Sequence, residues 1–158
     1  MVIEVPKVIF ERVKKEAEKL GISLEEYIVE LLSQDLNPRD RAKEYVEASK
    51  ELLTTSEKEI AKSNVRQAAE KIWGACALAV KAYAYWREER RLASHRELWE
   101  YSKIVARELG NWVLEIWNQA SGMHTCFYDE WCSREHVETA LRAARKLIET
   151  ISEKITKE

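Results

Sequence analysis

Apolar residues recur every three or four positions along most of this chain, the spacing that places them on one face of an α-helix. The pattern predicts four long helices, over about residues 38–62, 65–90, 94–121 and 133–155. The turns between them are short, and short turns place neighbouring helices antiparallel. We therefore predict an all-α protein built on an up-and-down antiparallel four-helix bundle.

Two of these helices have unusual patterns. The second is apolar nearly all round from Ile72 to Trp86, so we place it at the centre of the bundle. Gly74 and the alanines around it allow a neighbouring helix to approach closely. In the third helix, we expect Gly110 to disturb the backbone.

Residues 1–36 are predicted to form an N-terminal helical arm ahead of the bundle, which takes residues 37–158. A short extended segment precedes a helix that Gly21 ends, and Ser23 with Glu26 forms a capping box that opens a second helix. This order resembles a ribbon-helix-helix module, whose paired strands enter the major groove of DNA. The arm holds five Lys or Arg against eight Asp or Glu, the wrong sign for DNA. We therefore expect a dimerisation or docking element, with dimerisation favoured, and no DNA binding.

Composition limits which partners, source and cellular location we expect for this chain. The formal net charge of the 158 residues is −2, so no strong field draws the chain onto nucleic acid or anionic lipid. Many charges of both signs with little Asn or Gln favour a thermophilic source. We see no secretory signal and no apolar run of bilayer length, so we expect a cytoplasmic protein without membrane contact. Three cysteines argue against a disulfide framework, although Cys126 and Cys132 are near neighbours and hyperthermophile proteins can carry intracellular disulfides.

Three blocks of sequence resemble the archaeal PaREP family. They are "QAAEKIWGACALAVKAYA" (Gln67–Ala84), "SHRELWEY" (Ser94–Tyr101) and "HTCFYDEW" with "VETAL" and "LI" behind it (His124–Ile148). The likeness covers roughly residues 37–151. It implies a HEPN-like four-helix bundle from a thermophilic archaeon and self-association of the chain.

The same resemblance raises the possibility of a ribonuclease. Many HEPN domains cleave RNA without a metal, using an Arg followed after four to six residues by a His near the start of the last core helix. His124 falls at the matching place, but Asn118, Gln119 and Ala120 stand where the Arg should be. The motif is therefore degenerate. A literal match, Arg90 to His95, lies between the second and third helices, the wrong place for that motif.

The stretch "GMHTCFYDEWCSREH" raises two further hypotheses. His124, Cys126, Cys132 and His136 are ligand types that zinc prefers, although their spacing matches no strong zinc pattern. We therefore predict neither a metal nor another cofactor, and treat these residues as filling a helix junction. A candidate interaction surface combines the aromatic residues of this stretch with a basic cluster: Phe127, Tyr128, Trp131, Arg87, Arg90, Arg91 and Arg96.

Two classes of function stay open. The first is a non-enzymatic interaction or assembly module, a homo-oligomer and most simply a dimer, with an unidentified protein partner in a toxin–antitoxin-like or defence setting. The second is a divergent metal-independent ribonuclease or RNA-binding protein that uses His124 with an Arg from the other subunit. The enzyme hypothesis predicts an accessible His124 near an arginine. The module hypothesis predicts a buried, hydrogen-bonded His124.

Overall fold

The computed structural model describes residues 1–157, and these residues form seven α-helices and no β-strand. The prediction of an all-α protein is confirmed. Residues 1–6, predicted as extended, precede the first helix. The helices are α1 (Lys7–Leu20), α2 (Leu24–Leu32), α3 (Pro38–Ala61), α4 (Val65–Glu88), α5 (His95–Leu109), α6 (Trp112–Asp129) and α7 (Arg134–Thr156).

Side-chain caps begin the helices where the sequence predicts them. Ser23 Oγ accepts a hydrogen bond from the backbone N–H of Glu26 at 3.1 Å, and Asn37 Oδ1 accepts one from Asp40 at 2.9 Å. These bonds satisfy N–H groups that have no partner within the first turn of a helix. The starts of α2 and α3 are therefore fixed by local chemistry.

The third predicted helix is in fact two helices, α5 and α6. Gly110 between them has φ +126°, which side-chain-bearing residues rarely adopt, and a Cβ there would lie 2.7 Å from the Trp112 indole. The indole Nε1 donates to the carbonyl of Leu109 at 3.0 Å. The helix therefore ends at Gly110 and α6 starts afresh. The predicted end near Ser121 is also wrong, because α6 continues to Asp129.

Helix α4 lies at the centre, as its sequence predicts. Every residue from Ile72 to Tyr85 is buried, and α2, α3, α5, α6 and α7 all contact α4. Small side chains let α3 come close, because Ser49 Oγ on α3 donates to the Ala75 carbonyl at 2.9 Å. None of the helices in residues 1–157 combines the length and the apolar character that a membrane crossing requires.

The arm, α1 and α2, packs against the rest of its own chain through a buried ion cluster. Lys81 on α4 is 4% exposed and its Nζ lies 2.8 Å from an oxygen of Glu26, which is fully buried; it also contacts Glu30. Burial alone would lower the pKa of Lys81, but attraction to Glu26 and Glu30 raises it. One ammonium group therefore holds two carboxylates of α2 against α4. Lys71 adds a more exposed pair with Glu25.

We predict that Lys81→Met destabilises the protein by about 3–5 kcal/mol, because it leaves two carboxylates in the interior without their cation. Urea denaturation of wild type and variant measures the loss. Lys71→Met is the matched control, since its partner Glu25 is 41% exposed, and we expect a loss of about 1 kcal/mol or less. Equal losses for the two variants would show that the cluster does not hold α2.

Candidate functional site

His124 lies in α6 at the centre of an aromatic cluster built from three helices. Its ring centroid is 5.1 Å from that of Trp73 on α4, 5.3 Å from that of His95 on α5 and 5.1 Å from that of Tyr128. His95 in turn stacks on Trp73, with ring centroids 5.6 Å apart and planes 18° apart. The two histidines that the sequence analysis treated separately therefore belong to one site.

The site also contains a buried carboxylate. Glu70 on α4 is 6% exposed, and its Oε2 lies 3.4 Å from His124 Nδ1, a long hydrogen bond that the ring nitrogen donates. Burial raises the pKa of Glu70, and the bond to His124 offsets part of that effect. Glu70 and His124 therefore form a carboxylate–imidazole pair in a largely apolar setting, an arrangement that can hold or pass a proton.

His95 connects this pair to the arm. Its Nε2 lies 2.6 Å from the carbonyl oxygen of Gly21, and a carbonyl only accepts, so Nε2 carries the proton. Gly21 itself has φ +68°, and a Cβ there would come 3.2 Å from Nε2. The turn between α1 and α2 thus fits closely over the His95 ring and fixes its tautomer.

A groove of about 670 Å³ runs beside the pair, between the arm, α4 and the end of α6. Glu70 and Tyr128 line it together with three cationic side chains, Lys14, Arg66 and Lys71. Arg66 also lies over the Phe127 ring, 4.7 Å from its centroid, and pairs with Glu130. Glu18 and Glu25 line the groove too, so it brings charges of both signs, aromatic surface and the Glu70–His124 pair to one place.

Asn118 and Gln119 do not join His124. An α-helix turns by about 100° per residue, so positions five or six residues before His124 point to other faces of α6. Both side chains line a different pocket, between α6 and α7. The two amides at the Arg positions of the degenerate motif therefore do not lie beside His124.

The four candidate zinc ligands are not brought together either. Cys126 and Cys132 form a disulfide, with Cα atoms 5.5 Å apart. The odd number of cysteines argued against a disulfide framework but left this near-neighbour pair open, and the pair is bonded where residues 130–133 connect the end of α6 to the start of α7. His136 Nδ1 accepts a hydrogen bond from the Ser133 N–H at 2.9 Å and so caps α7. The described residues contain no group of three or more His, Cys, Asp or Glu placed to hold a metal.

The candidate interaction surface is divided in space. Phe127 and Tyr128 line the groove near the start of α4, whereas Trp131 lines the pocket between α6 and α7. Arg87 and Arg90 of the basic cluster lie at the far end of α4, about 30 Å away at 1.5 Å per residue. There Arg87 pairs with Glu88 and Glu108, and Arg90 pairs with Glu88 and lies over the Tyr101 ring. Arg91 and Arg96 are also exposed, but Arg96 directly follows His95 at the start of α5, on the side of the histidine cluster.

Sequence reasoning missed Glu70 and Trp73 as members of the site. Trp73 lies in the apolar run of α4, where it looks like an ordinary core residue, and Glu70 stands just before that run. The available signal was Glu70 at the edge of that run, because an acidic residue on a helix that is buried all round needs a partner.

Comparison with known families shows which part of the chain matches a family model. The model of the archaeal PaREP1/PaREP8 family matches residues 44–148. This range covers most of α3 through most of α7, so it includes Glu70, His95 and His124 but not the arm. The resemblance noted in the sequence, over roughly residues 37–151, is confirmed within these limits. No curated protein and no solved structure matches the chain.

The ionisation of Glu70 predicts how the stability of the protein depends on pH. Its pKa in the folded state is raised above 4.5 by burial, so the folded protein holds this proton more tightly than the unfolded chain. The resulting stabilisation is complete below about pH 4.5 and is lost as pH rises through the raised pKa. We expect Glu70→Gln, which cannot ionise, to lose less stability than wild type between about pH 4 and pH 7.

Urea denaturation across that pH range measures the difference. Glu135→Gln is a control of opposite sign, because hydrogen bonds from its own backbone N–H and from Ser133 lower the pKa of Glu135. Glu135 therefore stabilises the protein above about pH 4.5 and loses that effect as pH falls. Parallel stability curves for wild type and Glu70→Gln would contradict the assignment.

Proposed function

This chain belongs to the archaeal PaREP1/PaREP8 family, and we propose that it is a homo-oligomeric interaction module whose N-terminal arm joins two copies. The observation that carries the proposal is where exposed apolar side chains lie. Of the fourteen large hydrophobic residues exposed in residues 1–157, eleven belong to the first 32 residues. They are Met1, Val2, Ile3, Val5, Val8, Ile9, Phe10, Leu20, Ile28, Leu31 and Leu32.

The amount of apolar surface on the arm is suited to a dimer. The largest patch on a monomeric protein is about 300–600 Å², whereas a stable interface buries about 800 Å² on each partner. Each of the eleven side chains is at least 39% exposed, and Val8 and Leu32 exceed 70%. Side chains of this size and number supply an area of the order that such an interface buries. A second copy of the arm is the simplest partner that would bury these exposed side chains.

The proposal includes a HEPN-like four-helix bundle as the scaffold behind the arm. Helix α4 contacts α3, α6 and α7, α7 also contacts α3 and α6, and α5 joins α4 to α6 along the chain. These contacts support α3, α4, α6 and α7 as the four members. A cytoplasmic location, a thermophilic source and a protein partner in a toxin–antitoxin-like or defence setting stay predictions from the sequence.

We predict that light scattering after gel filtration gives twice the 18.5 kDa chain mass, and that Val8→Glu with Leu32→Glu gives a monomer. Both side chains are more than 70% exposed, so the charges disturb an interface and not the fold. Trp99→Glu, at an exposed apolar residue outside the arm, is the control and should leave the dimer intact. A wild-type monomer, or a double variant that still dimerises, would contradict the role of the arm.

A second candidate function, metal-independent ribonuclease, rests on the two adjacent histidines. Their ring centroids lie 5.3 Å apart, beside a groove that holds Lys14, Arg66 and Lys71. General acid–base cleavage of RNA needs one group to take the 2′-hydroxyl proton and another to protonate the leaving oxygen. The His124 side chain is 22% exposed and hydrogen-bonded to Glu70, between the outcomes that the enzyme and module hypotheses predict. The module is the better supported of the two because the exposed apolar residues of the arm support it directly.

If the cluster cleaves RNA, His124→Gln should lower the rate at least about 100-fold while the protein stays folded by circular dichroism. His136→Gln is the matched control, because His136 caps α7 outside the cluster, and it should retain full activity. Labelled single-stranded RNA with a chelator present is the substrate. Intact RNA after incubation with the wild type removes this candidate and leaves the module proposal unaffected.

A further inference from the structure

A pocket of about 550 Å³ opens between α6 and α7, on a different face of α6 from His124. Its lining is mostly apolar. The lining residues are Asn118, Gln119, Gly122, Met123, Trp131, Glu135, His136, Thr139 and Ala140. A volume of this size lies within the range of ligand pockets, which commonly combine apolar walls with a few polar groups. The pocket is therefore large enough for a small aromatic molecule.

The walls of the pocket suit a flat ligand. Met123 and Ala140 lie at its base, each 3% exposed. The Trp131 indole stands at its side with 49% of the residue exposed, and a Cβ built on Gly122 would approach that indole to 3.9 Å. The indole therefore packs at contact distance over Gly122, and the exposed part of its surface faces the pocket. A planar molecule can therefore stack on an aromatic face that is already in place.

Two separate bonds hold the Trp131 segment. On its C-terminal side, Cys132 is joined to Cys126 of α6. One residue further, Ser133 donates its N–H to His136 of α7. The wall is thus tied to both helices that form the pocket, and a pre-ordered wall lowers the entropy cost of binding.

The polar groups at the rim select the charge of the ligand. Glu135 lines the pocket, and the hydrogen bonds that it accepts keep its pKa low, so it carries a negative charge at neutral pH. The amides of Asn118 and Gln119 can both accept and donate hydrogen bonds, so they do not select the charge of the ligand. No Lys or Arg is among the lining residues. The rim therefore favours a cation or a neutral N–H donor over an anion.

We propose that this pocket binds a small planar aromatic amine, with its ring stacked on Trp131 and its ammonium group directed to Glu135. A cation next to an indole face gains an additional electrostatic attraction. The site lies apart from the arm and from the Glu70–His124 pair. It does not depend on the proposed dimerisation or on RNA cleavage.

Calorimetric titration of the full chain with three compounds tests the proposal. All three contain the indole ring system, but tryptamine is a cation, indole is neutral and indole-3-acetate is an anion. We expect tryptamine to bind at least about 10-fold more tightly than indole-3-acetate, with indole between them, as one ion-pair or cation–π contact predicts. Equal affinities, or no saturable binding of tryptamine, would overturn the proposal.

Single substitutions separate the two parts of the site. Trp131→Ala should weaken tryptamine binding about 10-fold or more, whereas Trp99→Ala, at an exposed tryptophan elsewhere, should not change it. Glu135→Gln should bring tryptamine and indole to within about 2-fold of each other while indole binds as before. Circular dichroism confirms that each variant is folded. A Trp131→Ala protein that binds tryptamine as wild type does would show that the pocket is not the binding site.

Discussion

Helix α4 has no solvent-exposed side from Ile72 to Tyr85, and the rest of the structure is arranged to cover it. A helix that is apolar all round can exist in water only when other elements surround it. Here five helices contact it, and serine, glycine and alanine at the contacts allow α3 to approach closely. The polar residues that α4 does bury, Glu70 and Lys81, must find partners inside the protein. Both features that distinguish this molecule, the histidine cluster and the attachment of the arm, follow from those two residues.

Lys81 and Glu70, the two buried charged residues of α4, are stabilised by different kinds of partner. Lys81 is paired with two carboxylates of α2, and one oxygen of Glu26 has no hydrogen-bond partner among the described residues. Such a cluster specifies where α2 docks more than it adds to stability, because desolvation of the charges offsets much of their attraction. Glu70 instead meets a histidine that can share its proton. The first arrangement fixes a position, and the second keeps a titratable group available next to a groove.

Local patterns predicted most of the fold and little of the site. The starts of α3 and α7 follow from Asn37, Pro38 and Ser133, whose effects act over one turn of helix. The sequence predicted a disturbance at Gly110 but not a complete end of the helix. The end depends on the Trp112 indole, which folds back to donate a hydrogen bond to the Leu109 carbonyl. His95 and His124 are 29 positions apart and Glu70 is 54 positions before His124. Their meeting depends on how three helices pack, which no local spacing encodes. The disulfide depends in the same way on the path of residues 130–133.

The hydrogen bond between His95 and the Gly21 carbonyl gives the arm an influence on proton chemistry. While the turn between α1 and α2 is in place, Nε2 of His95 is committed to that carbonyl. Local opening of a lightly attached segment needs less free energy than global unfolding, and α1 makes its principal helix contacts with α2 alone. When the turn lifts, the imidazole can exchange its tautomer and reach solvent beside His124. Arm position and the tautomer of His95 are thus thermodynamically linked: a partner that displaces the turn frees Nε2, and a ligand that needs the other tautomer favours release of the turn.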